Sequence, residues 1–175
     1  NMWEAIRDFL ELGGDVLFLI GALMIFMWIL IIERMLYFAI NHRQVVKKTV
    51  AEWNARSDRK SWKAHRIREA MISEVRLIAQ QYLGLIQASV ALCPLLGLLG
   101  TVTGMVGVFE VMSILGSGNA RAMADGISKA TVPTMCGMVA ALSGLFISFW
   151  LQRKAQIEIQ LLGEHMTMES RIDQS

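Results

Sequence analysis

Three long stretches without a charged residue constrain this chain more than any other feature of its sequence. They cover residues 16–32, 77–109 and 130–152. A bilayer core about 30 Å thick is crossed by roughly 20 apolar residues in a helix, so each stretch can supply a transmembrane helix. The sequence therefore predicts an all-α membrane protein with three transmembrane helices and with long helices extending into the cytoplasm.

The composition agrees with a membrane protein and excludes a disordered one. Of the 175 residues, 54% are hydrophobic and only 18% are charged, whereas a soluble domain has roughly 25% charged residues. Both prolines, Pro94 and Pro133, lie in apolar stretches, where membrane helices tolerate them because neighbouring helices support the backbone. Both cysteines, Cys93 and Cys136, also lie there without a CxxC motif, so we expect no disulfide framework, no metal site and no cofactor.

The distribution of basic residues predicts the orientation of the three spans. Residues 33–76 contain eleven Lys and Arg residues, whereas one precedes the first stretch and two lie in residues 110–129. Short cytoplasmic segments carry the excess of Lys and Arg, so this basic segment is predicted to be cytoplasmic. Four acidic residues and a single Arg precede the first stretch, which is unlike a signal peptide. We therefore expect the first span to be retained.

Small residues recur on one side of the second and third spans. Small side chains gain nothing by facing lipid, but they let helix backbones approach each other closely. We therefore expect spans two and three to pack together and against further copies, with the bulky first span outside. A compact bundle of one chain is the alternative. The residues assigned to helix packing are Gly97, Gly100, Gly104, Gly107, Gly137, Ala140, Gly144 and Ser148.

Four threonines lie inside the same two spans: Thr101 and Thr103 in the second, and Thr131 and Thr134 in the third. A lone threonine in a membrane helix commonly bonds its own backbone. Four of them on two glycine-rich helices favour a pore lining, because polar groups in a membrane are costly unless they are partnered or face water. No Asp or Glu lies deep in a span, so an acid that carries protons must come from another chain.

Two segments resemble the ExbB/TolQ/MotA family of proton-channel stator subunits. They are CPLLGLLGTVTGMVGVFEVM at residues 93–112 and MADGISKATVPTMCGMVAALSGLF at residues 123–146. The most specific part is GLLGTVTGM at residues 97–105. The likeness covers the whole three-span layout, and within the family it is greatest to the ExbB branch of accessory TonB systems.

The resemblance implies a homo-oligomer, a pentameric ring whose second and third spans line a central pore. Transmembrane helices of ExbD would enter this pore, and an ExbD aspartate facing Thr101 and Thr134 would carry the proton. The complex would sit in the bacterial inner membrane, use the proton motive force to act on TonB, and energise nutrient uptake across the outer membrane. No bond-making enzyme activity is implied.

The uncharged stretches and the distribution of basic residues assign a place to each segment of the chain, with the residue 1 end periplasmic and the C-terminus cytoplasmic. The segments are a periplasmic amphipathic helix (1–15), transmembrane helix 1 (16–40), a basic cytoplasmic helical segment (41–80), transmembrane helix 2 (81–112), a periplasmic loop (113–122), transmembrane helix 3 (123–152) and a cytoplasmic C-terminal helix (153–175).

Two charged residues near the outer ends of the spans are candidate pore-mouth charges, Glu110 and Lys129. ExbB and TolQ proteins commonly have a glutamate one turn before the threonine of the third span, where this chain has Lys129. A fixed positive charge in a proton path would repel protons. Lys129 is therefore expected to point outward, to lose its charge through desolvation, or to pair with an acid of ExbD or of this chain, such as Asp125 four residues earlier.

Two other functions fit the same sequence. A TolQ-like subunit of the Tol-Pal envelope system would share the fold and act through TolA. A passive membrane scaffold would use the basic segment to bind acidic membrane lipids or a soluble partner. The segment also interleaves Trp53 and Trp62 with basic residues, as nucleic-acid patches do, but the orientation of the spans already explains its charge, so we expect no nucleic acid.

Overall fold

The computed structural model describes residues 1–116 and 118–166, and every regular element within them is helical. Three helices in this part of the chain are long and apolar enough to cross a membrane, which confirms the predicted fold class. Residue 117 of the predicted periplasmic loop (113–122) and the part of the predicted C-terminal helix beyond residue 166 lie outside the described residues. The elements are α1 (Met2–Gly13), α2 (Asp15–Leu36), a π-helical turn (Tyr37–Asn41), α3 (His42–Asn54), α4 (Trp62–Ala79), α5 (Leu83–Leu115) and α6 (Ala120–His165).

Glycine and an unusual tyrosine mark two of the helix boundaries. Gly14 separates α1 from α2 with a φ of 69°, a left-handed conformation that glycine adopts without steric cost. Tyr82 separates α4 from α5 with a φ of 64°, which is uncommon for a bulky residue. The uncharged stretch 77–109 is therefore divided, since α4 ends at Ala79 and α5 begins at Leu83.

The third candidate span is a single helix much longer than a bilayer requires. α6 contains 46 residues, which corresponds to about 69 Å at 1.5 Å per residue. Its uncharged part ends at Gln152, and Arg153 and Lys154 follow directly. The helix continues through these charges to His165 without a break, so its last turns extend beyond the apolar part.

The first of two compact units consists of residues Asn1–Ile29 and Leu85–Phe146. Val16 and Ile20 of α2 form a buried cluster with Cys93 of α5 and Ala140 of α6. The first span therefore packs on the other two in a single chain through one face. Its bulky side chains Phe18 and Phe26 stay exposed, as do apolar side chains along α5 and α6, which leaves these faces for lipid or further copies.

The second compact unit is formed by Leu30–Gly84 together with the chain from Ile147. Its largest fully buried side chain is Trp53 at the end of α3. Val75 of α4 and Leu162 of α6 are also buried, so the amphipathic helices of the basic segment do build an apolar core. The α4 helix begins at Ser61, whose hydroxyl accepts a hydrogen bond from the Ala64 amide at 3.1 Å.

Candidate functional site

Helices α5 and α6 approach each other so closely that side chains are excluded at several points. A Cβ atom added to Gly97 would lie 3.0 Å from the Thr134 Cα, and one added to Gly104 would lie 2.5 Å from the Ala130 Cα. A Cβ added to Gly137 would lie 2.5 Å from the Cys93 carbonyl oxygen. These glycines therefore permit the contact between the two helices, as close-packing motifs in membrane proteins do.

The remaining residues assigned to packing have different surroundings. Gly100 faces the ring of Pro133, and Gly144 leaves room for the Met27 side chain, whose sulfur would be 2.5 Å from an added Cβ. Ala140 and Ser148 are buried. Gly107 has nothing within 4 Å of an added Cβ, so a side chain at this position would meet none of the described residues of the same chain.

Thr134 links the two glycine-rich helices by a hydrogen bond. Its hydroxyl donates to the Gly97 carbonyl oxygen of α5 at 3.1 Å, and the Ala130 carbonyl of its own helix is farther, at 3.5 Å. The neighbouring residue Pro133 is fully buried and carries no backbone N–H. The structure therefore places Thr134 at the α5–α6 contact, half-buried.

The other three threonines bond to their own helices. Thr101 donates to the Leu98 carbonyl at 2.6 Å. Thr103 donates to a carbonyl one turn earlier at 3.0 Å, and Thr131 does the same at 2.8 Å. A hydroxyl has one proton to donate and can accept as well. All four hydroxyls therefore donate to carbonyls and remain available as acceptors.

The two predicted proton-path threonines share one region of the α5–α6 pair. Thr101 follows Gly97 by one turn, and Gly97 is the residue that Thr134 bonds. Thr103 and Thr131 are more exposed than these two. Residues 83–109 and 130–152 contain no Asp, Glu, His, Lys or Arg, so this region offers hydroxyl groups for hydrogen bonds but no carboxyl, imidazole or amine group.

Lys129 pairs with an acid of its own helix. Its ammonium lies 3.0 Å from the Asp125 carboxylate, one turn earlier on α6. The same two side chains line a cavity of about 400 Å³ together with Asp8 and Glu11 of α1. Lys129 is exposed as well as paired, so the outward position and the pairing with an acid of this chain, both among the predicted outcomes, occur together, and its place at a pore mouth stays a prediction. Glu110, the other predicted pore-mouth charge, is exposed near the end of α5.

A buried polar cluster in the second unit was not singled out from the sequence. Arg34 is only 2% exposed, donates to the Ile78 carbonyl at 2.7 Å and bonds Glu33 with two nitrogens at 2.6 and 2.7 Å. Its guanidinium also lies 4.5 Å from the centre of the Tyr37 ring. The sequence analysis uses Arg34 only as one of the eleven basic residues that predict the orientation of the spans. Its burial could have been suspected from two features of the sequence. Arg34 lies just after the uncharged stretch 16–32, and an aromatic residue, Tyr37, follows one turn later.

His42 extends this cluster. Its ring lies 5.7 Å from the Tyr37 ring and 5.4 Å from the Phe38 ring, and its Nε2 is 3.2 Å from a Glu158 carboxylate oxygen. Burial lowers the pKa of His42 below the ordinary value of 6.5, and the negative charge of Glu158 opposes this shift. His42 is therefore a neutral buried ring at neutral pH.

Among residues 1–116 and 118–166, no group of three or more His, Cys, Asp or Glu side chains is arranged to hold a metal ion. Cys93 and Cys136 are both free thiols, the first of them buried. The four threonines supply hydroxyl groups in apolar segments of α5 and α6, and their role as a pore lining stays a prediction.

Comparison with known proteins adds an independent finding. Residues 38–164 match the family described as the MotA/TolQ/ExbB proton channel family. A Synechocystis sp. protein named as a biopolymer transport protein, ExbB-like 1, is 42% identical over 66 residues, which are 36% of this chain and 26% of that protein. ExbB-like 3 of the same organism is 42% identical over 84 residues, 43% of this chain and 40% of that protein. The matched part is thus less than half the length of either relative.

Proposed function

Because the chain belongs to the MotA/TolQ/ExbB proton channel family, we propose that it is an inner-membrane proton-channel subunit working with ExbD. In this proposal the complex converts the proton motive force into mechanical work on TonB, which energises nutrient uptake through the outer membrane. The ExbB-like names of the matched relatives favour this function over a TolQ-like role in the envelope.

One observation carries the proposal: four threonine hydroxyls lie on the α5 and α6 helices in segments that contain no Asp, Glu, His, Lys or Arg. A proton path at neutral pH needs a group such as a carboxyl or an imidazole, and these segments have neither. A carboxyl group of a partner helix would find hydroxyl acceptors here in surroundings of low polarity. Such acceptors stabilise a protonated carboxyl group, because they receive its hydrogen bond.

The proposed assembly is a pentameric ring around ExbD helices. Support comes from the apolar side chains that stay exposed on α5 and α6, such as Leu98, Val106 and Met138. A single chain leaves these faces uncovered, whereas a ring would cover part of them. The residue 1 end is proposed to be periplasmic and the C-terminus cytoplasmic, since positive residues concentrate between the first two spans.

Replacement of the two central threonines tests the proton-path role. Thr101→Val and Thr134→Val keep the shape of the side chain and remove the hydroxyl. Both variants, assembled with ExbD in vesicles, should lose most of the ExbD-dependent proton flux and most of the TonB-dependent uptake in cells. A loss of about tenfold corresponds to one hydrogen bond worth roughly 1.4 kcal/mol.

Serine replacements are the matched controls, because Thr101→Ser and Thr134→Ser retain the hydroxyl. They should keep most of the flux, while all four variants should assemble normally with ExbD. If both valine variants assemble and transport at the rate of the unmodified protein, the hydroxyls serve only their backbone carbonyls and the proposed path is wrong.

A further inference from the structure

The second unit contains a cavity of about 510 Å³ between α4 and α6, within the size range of small-ligand sites. On α4 its wall is a stripe of residues spaced four apart, which places them on one helix face. The lining residues are Arg68, Ile72, Arg76, Gln80, Gln156, Ile159, Gln160 and Gly163.

The polar part of this cavity is suited to an anion. Two guanidinium groups and three side-chain amides line it, and no carboxylate is among the described residues that do. Two nearby acids are engaged elsewhere: Glu69 of α4 lies 3.6 Å from Arg66, and Glu158 of α6 lies 3.2 Å from His42. The positive charge of the cavity is therefore not cancelled within its walls.

One of the two arginines is held in place by the end of α6. Arg68 donates to the Gly163 carbonyl at 2.6 Å and to the Met166 carbonyl at 2.8 Å. These bonds use Nη2 and Nε and leave Nη1 for another acceptor. Arg76 stands two turns away on the same face and is exposed. The cavity is therefore lined by one fixed guanidinium, that of Arg68, and one accessible guanidinium, that of Arg76. Such a pair suits a ligand with several acceptor oxygens.

Two residues that line the cavity lie close in sequence to the ends of predicted spans. Gln80 directly precedes the predicted second span, and Gln156 follows the last uncharged residue of the third span by four positions, about 6 Å along a helix. Ile72 and Ile159 supply an apolar part of the wall. Basic pockets beside membrane helices on the cytoplasmic side are typical sites for acidic lipid headgroups.

We propose that this cavity, here called the α4–α6 cavity, binds the phosphate headgroup of one anionic phospholipid per chain. Arg76 would bind the phosphate together with the free nitrogen of Arg68, and the glutamine amides would donate to the remaining oxygens. The acyl chains would pass along the apolar wall towards the bilayer. This inference does not depend on the proposed proton path.

Native mass spectrometry of the full chain, extracted gently from membranes, can count retained lipids. After exchange into phosphatidylglycerol, each chain should retain about one lipid, and after exchange into phosphatidylcholine it should retain few. Arg76→Gln should lower phosphatidylglycerol retention by about tenfold, since a charge-assisted hydrogen bond is lost. Lys63→Gln is the matched control, because it removes the same charge from the same helix outside the cavity and leaves the Arg66–Glu69 pair intact.

The outcomes distinguish a specific lipid site from general electrostatic attraction between anionic lipids and basic residues. Selective loss in Arg76→Gln, with Lys63→Gln unchanged and circular dichroism equal in all proteins, supports the proposal. Equal retention by the parent and Arg76→Gln, or equal loss in both variants, overturns it. Displacement of the lipid by millimolar inorganic phosphate would also overturn it, because the cavity would then bind the free anion.

Discussion

Thr134 has a single proton to donate, and in this structure it gives that proton to the Gly97 carbonyl. In this state its oxygen can accept a hydrogen bond from a protonated carboxyl group but cannot donate to an ionised one. The hydroxyl must leave Gly97 before it can stabilise a carboxylate. We therefore expect rotation of the Thr134 side chain to accompany release of the proton by a partner acid.

His42 predicts a pH dependence of stability. Its pKa in the folded chain lies below the ordinary value of 6.5, chiefly because of burial. As the pH falls through about 6.5, the unfolded chain takes up a proton on this ring and the folded chain does not, so the free energy of unfolding falls. Thermal unfolding in detergent should therefore show a lower melting temperature at pH 5.5 than at pH 7.5.

The His42→Gln variant should show a smaller fall in melting temperature between these two pH values. His65→Gln is the matched control, since His65 is an exposed histidine on α4. It should reproduce the pH dependence of the parent protein. An identical pH dependence in the parent and His42→Gln would show that His42 is not the group responsible.

At the scale of the helices, the contact between α5 and α6 rests on positions that have no space for a side chain. An added Cβ at Gly104 would meet the backbone nitrogen of Ala130 at 2.6 Å. Relief would require a shift of the whole helix, because a backbone cannot rotate away as a flexible side chain can. We expect Gly104→Leu to lower the free energy of unfolding by about 1–3 kcal/mol, the usual cost of overpacking, as measured by denaturant unfolding in detergent micelles.

Gly107 provides a control on the same helix. Nothing lies within 4 Å of an added Cβ there, so Gly107→Leu should leave the stability of the single chain unchanged or slightly raised. If Gly107 faces a further copy, as the sequence predicts, this variant should reduce assembly in size-exclusion chromatography. Equal stability of Gly104→Leu and the parent would contradict the packing role of Gly104.

The sequence predicts the helices well and their interruptions less well. Charge-free length and glycine spacing identify α2, α5 and α6, because both features follow directly from the thickness of a bilayer and from the need for close packing. The break at Tyr82 was not predicted, since its φ of 64° has no sequence signal comparable to glycine. The sequence also does not predict that a side chain at Gly107 would meet no neighbour in the same chain. This depends on how α5 is rotated about its own axis.

The sequence predicts residue types for the candidate site but not the hydrogen bonds that these residues make. Thr101 and Thr134 follow from the rule that polar groups in a membrane need partners. The acceptor of each hydroxyl depends on the contact between the two helices. A sequence pattern does not show that contact. The buried Arg34 and His42 cluster was missed for a similar reason, because burial of a charge depends on tertiary contacts with residues such as Glu158.

At the scale of the whole molecule, the predicted topology can be tested by labelling. Single cysteines at Ser57 and Gly118, both exposed positions, are introduced after Cys93 and Cys136 have been replaced. A membrane-impermeant thiol reagent should label Gly118→Cys in intact cells whose outer membrane has been made permeable. It should label Ser57→Cys only after the inner membrane is opened. Labelling of both sites from the same side would rule out an odd number of spans between them.

The central claim is that this chain forms a proton path that is complete only when a partner supplies an acid. The most direct measurement is proton flux into vesicles containing the chain alone, the chain with ExbD, or the chain with an ExbD whose transmembrane aspartate is replaced by asparagine. A pH-sensitive dye inside the vesicles reports the flux under an imposed potential. We predict flux above the background of empty vesicles only with unmodified ExbD. Equal flux from the chain alone, or from the complex with the asparagine variant, would contradict the account.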